Sequence, residues 1–189
     1  MILASLSPRR RQLLRMLGIR TEALAPDVPE GDRGAGEPPE AYVERLARAK
    51  AEWVPKKRHG YAVLAADTVV FSDGEVLEKP EDDAHALRLL GGLAGRWHEV
   101  LTGICVRRLR DERWGTAHER SRVRFAPLDE ETIRLYVSTG EPRDKAGAYG
   151  IQGYGGLLVE RIEGCYFNVM GLPLARLRSL VREMEGTAS

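Results

Sequence analysis

The stretch that most constrains this chain is residues 61–80, YAVLAADTVVFSDGEVLEKP. The apolar run Ala62-Val63-Leu64-Ala65-Ala66 is long enough for a buried strand, and it resumes after Asp67-Thr68 as Val69-Val70-Phe71. Asp73-Gly74 between apolar runs predicts a hairpin turn, with Glu75-Val76-Leu77 returning. An ionised carboxylate buried in such a strand is strongly penalised unless something compensates it. Asp67 is therefore paired, metal-bound, or placed at a strand end facing a cleft. The competing reading is a structural aspartate satisfied by backbone N–H groups.

A second constraint lies at the N-terminus. Met1-Ile2-Leu3-Ala4 predicts a strand, and Ser7-Pro8-Arg9-Arg10 opens a helix with Ser7 as N-cap and Pro8 in the first turn. Two arginines at a helix N-terminus oppose the helix dipole. The pattern makes sense when an anion, most simply a phosphate, occupies that end. Two solvated surface arginines are the alternative.

The intervening elements alternate. Residues 21–25 predict a strand, and residues 26–39 a loop with four prolines and three glycines that carries Glu30. Residues 40–54 predict a helix whose inward stripe includes Val43, Leu46, Ala47 and Trp53, with Lys50 on the same side. That lysine either snorkels to the surface or projects into a polar cleft. A helix follows Glu81-Asp82-Asp83 and is expected to stop at Gly91-Gly92. Strands are expected over 99–109, 117–125 and 157–162, and helices from Asp129 to Val137 and from Leu172 to Met184. Residues 141–156, EPRDKAGAYGIQGYGG, are rich in glycine and can approach a ligand closely. Tyr149 and Tyr154 offer flat surfaces there, and the Gln152 amide can read a base edge. The alternation predicts an α/β fold with a mixed sheet.

The totals exclude several classes. The chain has 189 residues, 43% hydrophobic and 30% charged, which suits a folded domain of two lobes with no separable linker. A net charge of +1 argues against a nucleic-acid-coating role. Cys105 and Cys165 form no CxxC pair, and the four histidines have no metal-ligand spacing. No apolar run approaches a membrane span, and arginines at Arg9 onward precede any signal-like apolar stretch. The expectation is a cytoplasmic protein that binds neither nucleic acid nor membrane. Arg9, Arg10, Lys50, Lys79 and Lys145 against a few carboxylates is the inventory of a polyphosphate site with a bound divalent ion.

These residues carry a resemblance. LASLSPRRRQLL (3–14), RLARAKA (45–51), AADTVV (65–70), LEKP (77–80), HEVLTG (98–103), STGEPRDKAGAYGIQGYGG (138–156) and NVMGLPL (168–174) run almost end to end. Together they resemble the Maf family of nucleoside triphosphate pyrophosphatases, the septum-formation-inhibitor-like proteins. The resemblance implies hydrolysis of a nucleoside triphosphate to monophosphate and pyrophosphate, with Mg²⁺ or Mn²⁺. It also implies an elongated mixed α/β fold related to the inosine-triphosphate pyrophosphatases, with two lobes around a central cleft, and commonly a homodimer.

By position, Asp67 matches the family's catalytic acidic residue, the proton acceptor that activates water. Ser7, Arg10, Lys50, Lys79 and Glu30 match its polar site residues, with Asp67 and Glu30 the expected metal ligands. Arg9, Thr68 and Gln152 match the dTTP/UTP branch, from which the 7-methyl-GTP branch differs. Two rival readings stay open: a nucleotide-binding regulator of cell division without significant turnover, and a purine house-cleaning pyrophosphatase on the related fold.

Overall fold

The computed structural model describes residues 1–29, 31, 33–58 and 61–186. In chain order its elements are β1 (Ile2–Ala4), α1 (Pro8–Met16), β2 (Glu22–Leu24), α2 (Pro39–Glu52), β3 (Ala62–Ser72), β4 (Glu75–Leu77), α3 (Asp83–Leu93), β5 (Trp97–Arg108), β6 (Arg113–Phe125), α4 (Glu130–Ser138), β7 (Val159–Glu163), α5 (Tyr166–Val169) and α6 (Leu174–Glu185). Short 3₁₀ turns occupy Glu141–Asp144, Ala146–Ala148 and Gly153–Leu158. The strands form a seven-stranded sheet in the order β2-β1-β3-β5-β6-β7, with β4 paired to β3. β1 is parallel to β2 and β3, while β3–β4 and β6–β7 are antiparallel. The sheet is thus mixed and flanked by helices, as the alternation of elements implies. Among the described residues no helix is long and apolar enough to cross a membrane.

Local chemistry accounts for the boundaries. Ser7, Asp82 and Asp129 cap α1, α3 and α4, each accepting a backbone N–H from three residues ahead. Asp73 and Gly74 both take positive φ, 53° and 88°, which is the primed turn that joins β3 to β4. Two expectations fail for physical reasons. α3 runs through Gly91-Gly92 to Leu93, because Leu90 and Leu93 are both buried. Burying two leucines outweighs about 1 kcal/mol for each helical glycine. The strand expected over 157–162 starts only at Val159, since the chain before it is wound into a 3₁₀ turn.

The chain divides into two compact units. One holds the described residues up to Asp67, Thr102–Glu119, and those from Gly171 onward; the other holds Thr68–Leu101 and Arg120–Met170. The core of the first gathers Ile2, Ala4, Ala47, Ala51, Val63 and Cys105. The core of the second gathers Leu90, Leu93, Val123, Phe125, Tyr136 and Tyr149, among others.

Candidate active site

In the first unit, the sheet sets the stage. Ile2 pairs with Val63 and Leu3 with Leu64 in parallel. Continuing that register, Ser5 leaves β1 level with Ala66, one residue before Asp67. The carboxyl ends of parallel strands are where open α/β sheets bind ligands. The loop there is tightly tied. Ser7 Oγ accepts the Arg10 N–H at 3.4 Å, and Ser5 Oγ accepts the Ser7 N–H at 3.2 Å. The Arg10 side chain donates from Nη1 to Ser5 Oγ at 3.1 Å and from Nε to the Gly171 carbonyl at 2.8 Å. Arg10 therefore does more than decorate a helix end: it ties the SPRR loop to the NVMGLPL segment. Arg9 is half-buried beside it.

Asp67 is 7% exposed in the middle of β3. Its Oδ1 accepts a hydrogen bond from Lys50 Nζ at 2.5 Å. The lysine stem is itself almost buried, with 11% of the side chain exposed. Lys50 thus does not snorkel outward; it delivers its charge to the strand. Asp67 is thus paired, the first of the alternatives for it. A buried pair is neutral as a unit, so the desolvation that one charge alone would suffer is offset by its partner.

Two features hold α2 where Lys50 can reach. A side-chain carbon on Gly103 would sit 2.2 Å from the Val43 carbonyl oxygen, so only glycine lets the helix backbone lie against β5. Arg107, 1% exposed, donates from Nη1 to the carbonyls of Val54 (2.8 Å) and Ala51 (3.4 Å) at the end of α2. Its Nη2 meets Glu112 at 3.0 Å, and its guanidinium lies 4.7 Å from the Trp114 ring centre. The sequence reads Arg107 as one more strand residue. Its only signal is an arginine embedded in the apolar run of β5.

In the second unit, Thr68 and Gln152 are half-buried and Lys79 is exposed. The loop that carries Lys79 is joined to the glycine-rich segment, because the Glu78 carbonyl accepts the Gly147 N–H at 3.0 Å. Tyr149 is not an open platform as its loop position suggests. It is 5% exposed, and its hydroxyl is hydrogen-bonded to His98 Nε2 at 2.7 Å. Burial holds the Tyr149 hydroxyl well above its usual range and pushes the His98 imidazole down to about 4, so both are neutral near pH 7. Metal-ligand spacing gives no sign of His98; its sequence signal is its place in HEVLTG. Lys145 donates to the Glu141 carbonyl (2.6 Å) and to Asp144 (2.7 Å), which binds it within its own turn.

The metal expectation meets a sparse donor set. Among the described residues no three His, Cys, Asp or Glu side chains gather as a metal cage. Glu30 lies outside the described residues. Mg²⁺ is commonly held by one or two carboxylates plus substrate phosphates and waters, not by an all-protein cage. Asp67, with one oxygen engaged by Lys50, fits that mode of binding.

A mixed α/β protein that presents a lysine-paired buried carboxylate and an arginine-tied loop at the end of parallel strands has the parts of a polyphosphate-handling protein. The chain belongs to the Maf-like protein family, whose model matches residues 1–184. A dTTP/UTP pyrophosphatase of Symbiobacterium thermophilum is 53% identical over 176 residues, which cover 93% of this chain and 89% of the relative. One of Geotalea uraniireducens is 49% identical, covering 97% and 94%. One of Syntrophomonas wolfei is 45% identical, covering 95% and 94%.

Proposed function

We propose that this protein hydrolyses dTTP and UTP, and related pyrimidine triphosphates, to the monophosphate and pyrophosphate. Several relatives of nearly the same length carry that activity in their names. The observation that carries the reading to this chain is Asp67, buried in β3 and ion-paired with Lys50.

In this mechanism Asp67 accepts a proton from water as its oxygen attacks phosphorus, and the bridging oxygen between the α- and β-phosphates leaves with pyrophosphate. Lys50 pairs with the carboxylate in an apolar strand and offsets phosphate charge. Ser7, Arg10 and the N-terminal end of α1 bind phosphate oxygens, with Lys79 a further cation. Asp67 and, by the family pattern, Glu30 would hold a divalent cation, Mg²⁺ or Mn²⁺, which would supply charge neutralisation at the phosphates. Arg9, Thr68 and Gln152 select the pyrimidine base. Residues 1–189 act as one catalytic domain in the cytoplasm. The exposed Tyr154, Leu157, Tyr166 and Phe167 support a homodimer.

The test is a panel of nucleoside triphosphates with Mg²⁺ or Mn²⁺, with pyrophosphate and orthophosphate measured separately. The expected result is pyrophosphate from dTTP and UTP. Binding without release from any triphosphate would replace this reading with the nucleotide-binding regulator.

A further inference from the structure

We propose that His98 and Tyr149 form a buried pin that sets the position of Gln152, making both positioning residues for base selection; this rests on the base-reading role of Gln152 given above.

The segment from Lys145 to Gly155 has few side chains able to hold it. Gly147 and Ala148 are both left-handed, with φ of 64° and 61°. For alanine that conformation is strained and persists only where the surroundings impose it. The next residue supplies the restraint. The Tyr149 ring meets Phe125 edge-on at 4.7 Å and His98 at 5.3 Å, while His98 meets Phe125 at 5.0 Å. Within this closed aromatic triad the hydroxyl–imidazole bond is the polar lock. His98 Nδ1 is buried with no partner among the described residues, so the Tyr149 hydroxyl is the ring's polar restraint.

Downstream, the backbone is held on both sides of Gln152. The Gly150 N–H donates to the Tyr136 hydroxyl at 3.3 Å, and the Tyr154 N–H donates to Glu141 Oε2 at 3.0 Å. A side-chain carbon on Gly155 would sit 2.1 Å from the Gly150 carbonyl oxygen, so the chain folds back on itself around Gln152. Gln152 makes no side-chain capping bond to the 3₁₀ turn it precedes. Its backbone is fixed and its amide is not spent on that turn, which is the condition for reading a donor–acceptor pattern on a base. Reading by paired hydrogen bonds tolerates little displacement.

The experiment is a Tyr149→Phe, Gln152→Ala and double-variant cycle, which keeps the ring and removes only the hydroxyl at position 149. Two readouts are taken: the ratio of kcat/KM for dTTP over dCTP, and amide hydrogen exchange at Gly150 and Tyr154. Tyr149→Phe should speed exchange at both amides and lower the dTTP preference about 10-fold, the scale of weakening one hydrogen bond. In the Gln152→Ala background it should lower the preference no further. Unchanged exchange, or equal losses for dTTP and dCTP, overturns the pin. If Gln152→Ala alone keeps the preference, the base-reading role fails instead and takes this proposal with it. Those two failures differ in which single variant leaves the ratio intact.

Discussion

In the unit that contains Asp67, the functional groups are fixed by charge. Lys50 neutralises Asp67, Arg10 fastens the loop before α1, and Arg107 clasps the carbonyl end of α2. In the unit that contains Gln152, much of the corresponding task falls to neutral groups: a tyrosine hydroxyl, an imidazole held uncharged by burial, and backbone N–H groups on a glycine-rich segment, with the Glu141 carboxylate accepting the Tyr154 N–H. The difference matches the two demands of the proposed reaction. Handling a triphosphate needs cations and an ionised base, which a buried strand tolerates only in pairs. Reading a base needs directed hydrogen bonds, and so a backbone held in place. One unit should therefore fail through lost charge, and the other through lost geometry.

The sharpest way to break the contrast is at Asp67. Asp67→Asn keeps the shape and a hydrogen-bond acceptor for Lys50 while removing the proton acceptor. Turnover of dTTP should fall about 1,000-fold, within the usual range for a lost general base. Lys50→Met should cost about 100-fold, because it leaves the buried Asp67 carboxylate without its ion-pair partner. Both are read from initial rates of pyrophosphate release, with thermal melting as the control for folding. An Asp67→Asn variant with near-normal turnover would refute the catalytic assignment.

Next in size is the clasp on α2. Arg107→Met retains most of the buried stem but leaves the Ala51 and Val54 carbonyls without their donor. Buried acceptors left unsatisfied lose about 1–3 kcal/mol each, so urea denaturation should show a loss of about 4 kcal/mol. Since Lys50 sits one residue before Ala51, dTTP turnover should fall too, even at temperatures where the variant is folded. Stability lost with turnover unchanged would mean that the clasp serves the core alone.

That clasp also marks what the sequence could and could not announce. The 61–80 hairpin, the helix starts at Ser7, Glu81-Asp82-Asp83 and Asp129, and the mixed sheet follow from local chemistry, and the structure reproduces them. Asp67 was legible as an anomaly because a carboxylate interrupts an apolar run. Lys50 was legible because it shares a face with Leu46 and Ala47. The rest depends on contacts across long separations. Arg107 meets residues 53 and 56 positions away, and Tyr149 meets His98 across 51. Neither pairing leaves a periodic trace. Trp53 fails in the opposite sense: it continues the inward stripe of α2 yet is 39% exposed, because the helix has ended at Glu52. Glu30, placed by spacing in a proline-rich loop, lies outside the described residues and is carried only by the family pattern.

The smallest expected effect sharpens the contrast from the neutral side. His98 titrates near 6.5 when unfolded, and burial brings it down to about 4 in the folded protein. Between those values the unfolded chain binds more protons, so stability rises with pH there. The contribution of the neutral imidazole is fully present above about pH 6.5. It declines as pH falls toward 4, and below that the folded form is protonated as well. The whole span is on the order of 3 kcal/mol, from one pKa unit being about 1.4 kcal/mol. Urea titrations at pH 7.5, 5.5 and 4.5 should show this loss, and His98→Gln should flatten it while leaving the other carboxylate-dependent slopes in place. If acid instead destabilises the His98→Gln variant as steeply as the parent, the pin is not the acid-sensitive element. The charge-held unit would then be the one that yields first.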